Sequence, residues 1–205
     1  MKPFYRIAKT AVYPFFRWLQ PVKVIGAENI PDGEGYILCA NHTSMTDPFF
    51  MVTIFKQQIY FMAKIELFKN PVLRAVLNWA GAFAVDRGKA DMSAINHAEG
   101  LVNGGQILGI FPEGTRYKEG PPRKAKSGIA YVAIHTKADI LPVSIYREGR
   151  YSWFKKTTVR IGKLIKYDEI IDKDLSDRGN LKNIVEIVTY SLTELWEMKH
   201  ENNVS

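Results

Sequence analysis

Two short stretches of the sequence carry residue types that can do acid–base and anion-binding chemistry. In the first, His42 is followed by Asp47 within residues 41–47, after an apolar run that ends at Ala40. A histidine can take up a proton near neutral pH, and a nearby carboxylate can fix its tautomer and stabilise the imidazolium. The pair has the residue types of the base and orienting acid of a hydrolytic triad without its serine, so the attacking oxygen would come from a substrate.

Asp47 also has a structural alternative. It directly precedes Pro48, which suits the first turn of a helix, and aspartate is a favoured N-cap residue. Such a cap would explain Asp47 whether or not it touches His42. The pair therefore needs a second motif before it indicates chemistry.

The second motif is the stretch Phe-Pro-Glu-Gly-Thr-Arg at residues 111–116, which follows another apolar run. Gly114 lets the backbone approach a ligand closely, and Arg116 offers a planar fork of donors that matches a phosphate. Glu113 is expected to hold this loop or the arginine in place. Read alone, the stretch is an ordinary turn. Its place after a predicted strand, like that of His42, predicts that two loops line one cleft.

Further cations stand near these loops. Arg87 closes the run Val-Asp-Arg at residues 85–87, and Lys124 and Lys126 lead into a helix predicted from Ser127. The first amides of such a helix can face an anion. Each of these cations alone is more often a solvated surface charge than a ligand.

The elements expected to position the loops alternate along the chain. Apolar, β-rich runs predict strands at residues 22–25, 36–40, 59–63, 82–85, 106–111, 140–146 and 159–165. Periodic apolar spacing predicts helices at residues 48–56, 71–79, 91–102 and 127–136, and a last helix over residues 181–195. This alternation is typical of an α/β fold, and the length predicts a single domain over residues 21–205.

Residues 1–20 are interpreted as a separate appendage. Apolar residues recur there at helical spacing, and no acidic residue occurs before Glu28. Lysines and arginines are accompanied by tyrosine and tryptophan, whose rings favour a lipid headgroup region. The segment is predicted to be a basic amphipathic helix, kinked at Pro14, that docks on an anionic membrane surface. The alternative is a terminal helix packed on the core.

Composition narrows the possible partners. The sequence has 28 Lys and Arg against 21 Asp and Glu, and this net charge of +7 leaves nucleic acid, anionic lipid and phosphorylated substrates open. The single cysteine, Cys39, lies in an apolar run and fits a reducing, cytosolic setting. No run approaches the roughly 20 apolar residues of a membrane-spanning helix. We therefore expect no transmembrane span, and no cleavable signal is recognisable.

Four blocks together resemble the glycerolipid acyltransferase family, and within it the bacterial 1-acylglycerol-3-phosphate acyltransferases. The blocks, in family order, are His-x4-Asp at His42 and Asp47, then residues 85–87, residues 111–116, and Leu-Pro-Val at residues 141–143. The resemblance covers residues 21–145, and the complete Phe-Pro-Glu-Gly-Thr-Arg string is its most specific part. It implies an α/β fold with a mixed, largely parallel sheet flanked by helices.

The resemblance also implies a reaction. His42 would deprotonate the free hydroxyl of a 1-acylglycerol phosphate, which then attacks an acyl thioester, while Asp47 orients the histidine. The acceptor would be lysophosphatidic acid and the product phosphatidic acid. The residues that would bind the acceptor's phosphate or shape its site are Arg87, Glu113, Gly114, Thr115, Arg116 and Lys126.

No bound metal or cofactor is expected, because the four histidines are scattered and Cys39 has no cysteine partner. The donor would be a thioester of acyl carrier protein or of coenzyme A, used as a cosubstrate. The expected location is the cytoplasmic face of the cell membrane, with peripheral attachment, and no nucleic-acid partner is expected. Three alternatives stay open: another lysophospholipid acceptor, hydrolysis of the thioester, and a non-catalytic module that binds an anionic membrane or nucleic acid.

Overall fold

A computed structural model of the chain describes most of the sequence, namely residues 21–33, 35–86, 91–148 and 156–198, with Thr10 and Pro14. At Trp79 only the backbone is described. Apart from Thr10 and Pro14, the segment 1–20 lies outside the described residues, and so does Arg87. The docking helix and its kink at Pro14 therefore stay predictions.

The strands of the described residues form a seven-stranded, mostly parallel sheet. They are β1 (Val22–Ile25), β2 (Tyr36–Ala40), β3 (Ile59–Lys64), β4 (Phe83–Val85), β5 (Ile107–Ile110), β6 (Ile140–Arg147) and β7 (Thr157–Ile161). Their order is β1-β7-β6-β2-β5-β3-β4, and neighbouring strands are parallel except for β6 and β7. The mixed, largely parallel sheet is thus confirmed.

Helices flank the sheet. They are α1 (Asp47–Ile54), α2 (Pro71–Trp79), α3 (Met92–Asn103), α4 (Ser127–Thr136), α5 (Tyr167–Ile170) and α6 (Asp177–Glu197), with short 3-10 helices at Ala27–Asn29 and Ile65–Lys69. Among the described helices, none is both long and apolar enough to cross a bilayer.

The core has two apolar clusters, one on each face of the sheet. On one face, α1 packs Phe50 and Phe55 into a cluster that includes Leu38 of β2. On the other, residues of α3, α4 and α6 share a cluster with Ile37 of β2. Because helices cover β2 from both sides, all five of its residues are buried, which explains its unbroken apolar sequence.

The carboxyl ends of β2, β5 and β6 meet at one edge of the sheet. Cys39 of β2 is paired with Ile110 of β5, and Ala40 of β2 with Val143 of β6. Strand β6 continues beyond this pairing to Arg147. The loops after β2 and β5 therefore start side by side, at the edge where parallel sheets usually hold their ligand sites.

The N-cap role considered for Asp47 is wrong. The helix α1 begins at Asp47 itself, its N-cap position is Thr46, and no side chain makes a capping hydrogen bond there. Helix α2, by contrast, does have a side-chain cap, because Asn70 accepts hydrogen bonds from the amides of Val72 and Leu73, each at 3.0 Å. The Asp47 side chain therefore does not cap α1, and its carboxylate is available for other contacts.

The last strand lies earlier in the chain than the predicted range 159–165. The ladder between β6 and β7 ends at Ile161, and Ile165 forms only an isolated bridge with Ile140. Strand β7 begins at Thr157, which is paired with Arg147. The apolar pattern missed this start because threonine carries little of the apolar signal.

Candidate active site

The loop after β2 folds back so that His42 and Asp47 meet. His42 Nδ1 lies 2.9 Å from Asp47 Oδ2. The same carboxylate oxygen accepts hydrogen bonds from the amides of Thr43 and Ser44, at 2.7 and 2.8 Å. Asp47 is fully buried. The loop is therefore built around this carboxylate, and it brings together the two residues that the sequence paired.

A buried arginine that the sequence analysis missed completes the surroundings of Asp47. Arg147 Nη1 lies 2.9 Å from Asp47 Oδ1 and also donates a hydrogen bond to the Thr43 hydroxyl. The Arg147 Nε donates to Thr157 Oγ1 at 3.1 Å, and its guanidinium carbon lies 5.4 Å from the centroid of the Phe50 ring. In the sequence, Arg147 reads only as a cation at the end of an apolar strand.

Asp47 carries a negative charge in this setting. Burial by itself raises the pKa of a carboxyl group, but the hydrogen bond with His42, the charge of Arg147 and the Ser44 amide together hold the pKa of Asp47 below its usual range. An ionised carboxylate only accepts hydrogen bonds, so a neutral His42 carries its proton on Nδ1. The basic ring nitrogen is then Nε2.

An aromatic stack holds the imidazole ring of His42. Phe111 lies against it with ring centroids 4.1 Å apart, and Phe61 stacks on Phe111 at 5.5 Å. The His42 side chain keeps 19% of its surface exposed. No hydrogen bond from the described part of the chain engages Nε2, so this nitrogen is open to a ligand.

Glu113 joins the His42 loop to the loop after β5. One carboxylate oxygen accepts a hydrogen bond from the backbone N–H of His42 at 2.9 Å, and the other from that of Arg123 at 2.8 Å. Burial raises the pKa of Glu113, and the hydrogen bonds from the two backbone amides lower it in part. Of the two uses expected for Glu113, the structure shows it holding the loops rather than Arg116.

Gly114 and Lys126 lie in contact. Gly114 has a φ of +70°, in the left-handed region that favours glycine. A Cβ atom added there would lie 3.0 Å from Lys126 Nζ. The Lys126 amide donates to the carbonyl of Pro112 at 2.9 Å. The close approach expected at Gly114 is therefore made by the chain's own lysine.

Thr115, Arg116 and Lys126 are exposed in the loop after β5. Arg116 makes no hydrogen bond or ion pair with any residue that the structure describes. Its neighbour Tyr117 donates its backbone N–H to the His42 carbonyl at 2.9 Å. Two of the cations expected at the phosphate site thus share one loop that is tied directly to His42, whereas Arg87 lies outside the described residues.

Asn41 is a second residue that the sequence analysis missed. Its side-chain amide donates to the Ile145 carbonyl at 3.1 Å, and its Oδ1 accepts the Ile145 N–H at 2.6 Å. The residue is buried. These two hydrogen bonds to strand β6 fix the position at which the chain leaves β2. They therefore also fix where the loop that carries His42 begins.

A family model defines the wider relationship of the chain. The model described as acyltransferase matches residues 21–146, which is more than half of the sequence. The chain belongs to the acyltransferase family. The matched residues include both loops of the site, so the resemblance read from the four blocks is confirmed at the level of the family.

Individual acyltransferases extend this relationship. The 1-acyl-sn-glycerol-3-phosphate acyltransferase of Borreliella burgdorferi is 33% identical over 138 residues, which cover 65% of this chain and 55% of that protein. The enzyme of the same name from Bacillus subtilis is 37% identical over 124 residues, covering 60% of this chain and 61% of that protein. The chain therefore spans less than two thirds of the length of these curated relatives.

A solved structure shares the fold of this acyltransferase. The crystal structure of the 1-acyl-sn-glycerophosphate (LPA) acyltransferase PlsC from Thermotoga maritima superposes with a TM-score of 0.69. The sequence identity is 26%, and the similarity covers 93% of this chain and 79% of that one.

Proposed function

We propose that this acyltransferase moves an acyl chain from an acyl thioester to the sn-2 hydroxyl of 1-acylglycerol 3-phosphate, giving phosphatidic acid. The observation that carries the proposal is the His42–Asp47 contact of 2.9 Å, with Nε2 open beside a loop that presents exposed cations. The names of the relatives from Borreliella burgdorferi and Bacillus subtilis support the same acceptor.

His42 acts as the base in this reaction. Its Nε2 takes the proton of the acceptor hydroxyl while the oxygen attacks the thioester carbonyl carbon. A C–O bond forms, and the tetrahedral intermediate then expels the thiolate as the C–S bond breaks. The thiolate receives the proton from the imidazolium, which restores neutral His42. Asp47 remains ionised and stabilises the imidazolium while it exists.

The acceptor's phosphate is assigned to the loop after β5. Arg116 and Lys126 supply charge-assisted donors there, and Thr115 is adjacent to Arg116 in the chain. The family resemblance adds Arg87, which lies outside the described residues, as a third cation for the phosphate. Glu113 and Gly114 act indirectly, because Glu113 holds the loop amides and Gly114 makes room for Lys126.

No metal or bound cofactor has a step in this reaction, because a thioester is already an activated acyl group. The donor is the thioester of acyl carrier protein or of coenzyme A, used as a cosubstrate. Both carriers are anionic, and the net charge of +7 suits either of them.

Preference for a phosphate-bearing acceptor tests this function. Wild-type protein is expected to transfer acyl groups to lysophosphatidic acid much faster than to phosphate-free monoacylglycerol. A charge-assisted hydrogen bond contributes about 1.5–3 kcal/mol, so Arg116→Ala should lower kcat/KM for lysophosphatidic acid roughly 10- to 100-fold. Its kcat/KM for monoacylglycerol should stay unchanged. The assay uses purified protein, with acyl carrier protein and coenzyme A thioesters in parallel.

Lys118→Ala is the matched control for this assay, because it removes another exposed cation from the same loop and should behave as wild type. Equal use of both acceptors by the wild-type protein would refute the phosphate site. Faster transfer to lysophosphatidylcholine would point to a sister acceptor. Fatty acid release that is independent of any acceptor would identify a hydrolase.

We further propose that the enzyme works at the cytoplasmic face of the membrane as a peripheral protein. The support is the composition of residues 1–20, which combine cations and aromatic rings without an acidic residue. Deleting residues 2–20 should abolish cosedimentation with vesicles that contain phosphatidylglycerol and leave the melting temperature of the domain unchanged. Vesicles of pure phosphatidylcholine are the control. Undiminished binding by the deleted protein would contradict the docking role.

A further inference from the structure

Arg147 shares the Asp47 carboxylate with His42. His42 Nδ1 lies 2.9 Å from Oδ2, and Arg147 Nη1 lies 2.9 Å from Oδ1. Arginine stays protonated at every accessible pH, whereas the histidine gains and loses its proton. The negative charge of Asp47 is therefore already balanced by a permanent cation before His42 takes up a proton.

The guanidinium of Arg147 is held in place by several contacts. Thr157 Oγ1 accepts from its Nε at 3.1 Å, the Thr43 hydroxyl accepts from its Nη1, and its charge faces the Phe50 ring. Its side chain is only 3% exposed. Water and salt screen a buried charge much less than an exposed one, so Arg147 acts strongly on the His42–Asp47 pair.

The loop after β5 also brings charge near the pair, and its exposed cations include Arg116 and Lys126, which water and salt screen more strongly than a buried charge. The loop after β5 supplies the Glu113 carboxylate, which binds the backbone N–H of His42 at 2.9 Å. Helix α1 and strand β7 contribute the uncharged Phe50 and Thr157. The negative charge of Glu113 favours proton uptake by the pair, and the positive charge of Arg147 opposes it.

We propose that Arg147 is a positioning residue that sets the pH range in which His42 works as a base. Because Arg147 balances the negative charge of Asp47, it lowers the affinity of the His42–Asp47 pair for a proton. The imidazolium formed during a turnover then returns its proton more readily to the leaving thiolate. This inference rests on the acyl transfer proposed above.

The pH dependence of kcat/KM tests this role. In Arg147→Met and Arg147→Gln the Asp47 charge lacks its permanent partner, so the pair binds its proton more tightly. The base form is then reached only at higher pH, and the acidic limb of the profile should move upward by about one pH unit. Arg147→Lys keeps the positive charge and should keep the acidic limb near its wild-type position.

A second readout does not depend on catalysis. NMR titration of the histidine ring resonances, with the His42 signal assigned by its absence in His42→Ala, reports proton uptake without substrate. The His42 midpoint should move upward in the neutral variants, in parallel with the acidic limb. If the wild-type protein fails to transfer acyl groups, the proposed function fails while this titration still tests the charge effect of Arg147.

Two outcomes would overturn the inference. In the first, the neutral variants lose activity but keep the wild-type acidic limb and the wild-type His42 midpoint. In the second, neither Arg147→Met nor Arg147→Gln folds while Arg147→Lys does. That outcome would show that the ion pair of Arg147 with Asp47 serves only to stabilise the fold. The glutamine variant is included because its amide can still donate a hydrogen bond to Asp47.

Discussion

Replacing His42 with alanine is expected to lower kcat/KM for acyl transfer by about 1,000-fold, because no other group then takes the proton from the acceptor hydroxyl. The fold should persist. His42 binds Glu113 and Tyr117 through its own backbone N–H and carbonyl, which alanine retains. Steady-state transfer to lysophosphatidic acid, measured beside a thermal melt of each protein, checks both expectations.

His135→Ala is the matched control for this variant. His135 is an exposed histidine in the last turn of α4, with its Nδ1 2.8 Å from the Tyr131 carbonyl. The same substitution there should leave kcat/KM at the wild-type value. Wild-type turnover by His42→Ala would refute the role of His42 as the base, and an unfolded His42→Ala protein would refute the backbone account of the loop.

The elements that carry the site follow from local sequence patterns. The apolar run at residues 36–40 became β2 with the same limits, and the helix predicted at residues 127–136 is α4. Each is specified by neighbours in the sequence, through an unbroken apolar run or a helical period. The loops after β2 and β5 were predicted to line one cleft because each motif directly follows a predicted strand.

Arg147 lay beyond this kind of reasoning. It is 100 residues from Asp47 in the sequence, and its own surroundings read simply as the end of a strand. Its contact with Asp47 depends on β6 pairing in parallel with β2 and on how far β6 runs past Val143. Strand order and register are set by packing of the whole sheet, which a local pattern does not contain.

Asp47 shows how tertiary contacts decide between two local explanations. The neighbouring Pro48 favoured a helix cap, and the spacing from His42 favoured a catalytic pair. The amides of Thr43 and Ser44 turn inward to the carboxylate, and Arg147 reaches it from β6. These contacts favour the pairing, and they make Asp47 a structural centre of the loop as well.

Asp47→Asn is expected to lower kcat/KM by about 100- to 1,000-fold, because the amide lacks the charge that stabilises the imidazolium. It also has only one acceptor oxygen. If that oxygen faces His42 and the Ser44 amide, the NH2 group faces Arg147; if it faces Arg147, the NH2 group faces the other donors. A buried guanidinium is left without its counter-charge in both orientations, which should lower the free energy of unfolding by about 3 kcal/mol.

The loss of stability should depend on pH. The pKa of Asp47 lies below its usual range, so its charge stabilises the fold above about pH 4 and this contribution is lost as the pH falls through the lower folded-state value. Urea unfolding should therefore show the largest difference between wild type and Asp47→Asn at neutral pH and a smaller one in acid.

Asp139→Asn, at a carboxylate bound by Lys166 and the Tyr167 amide, is the control for the activity measurement and should keep wild-type activity. Wild-type kcat/KM in Asp47→Asn would show that the charge of Asp47 is not needed to orient His42 or to stabilise its imidazolium.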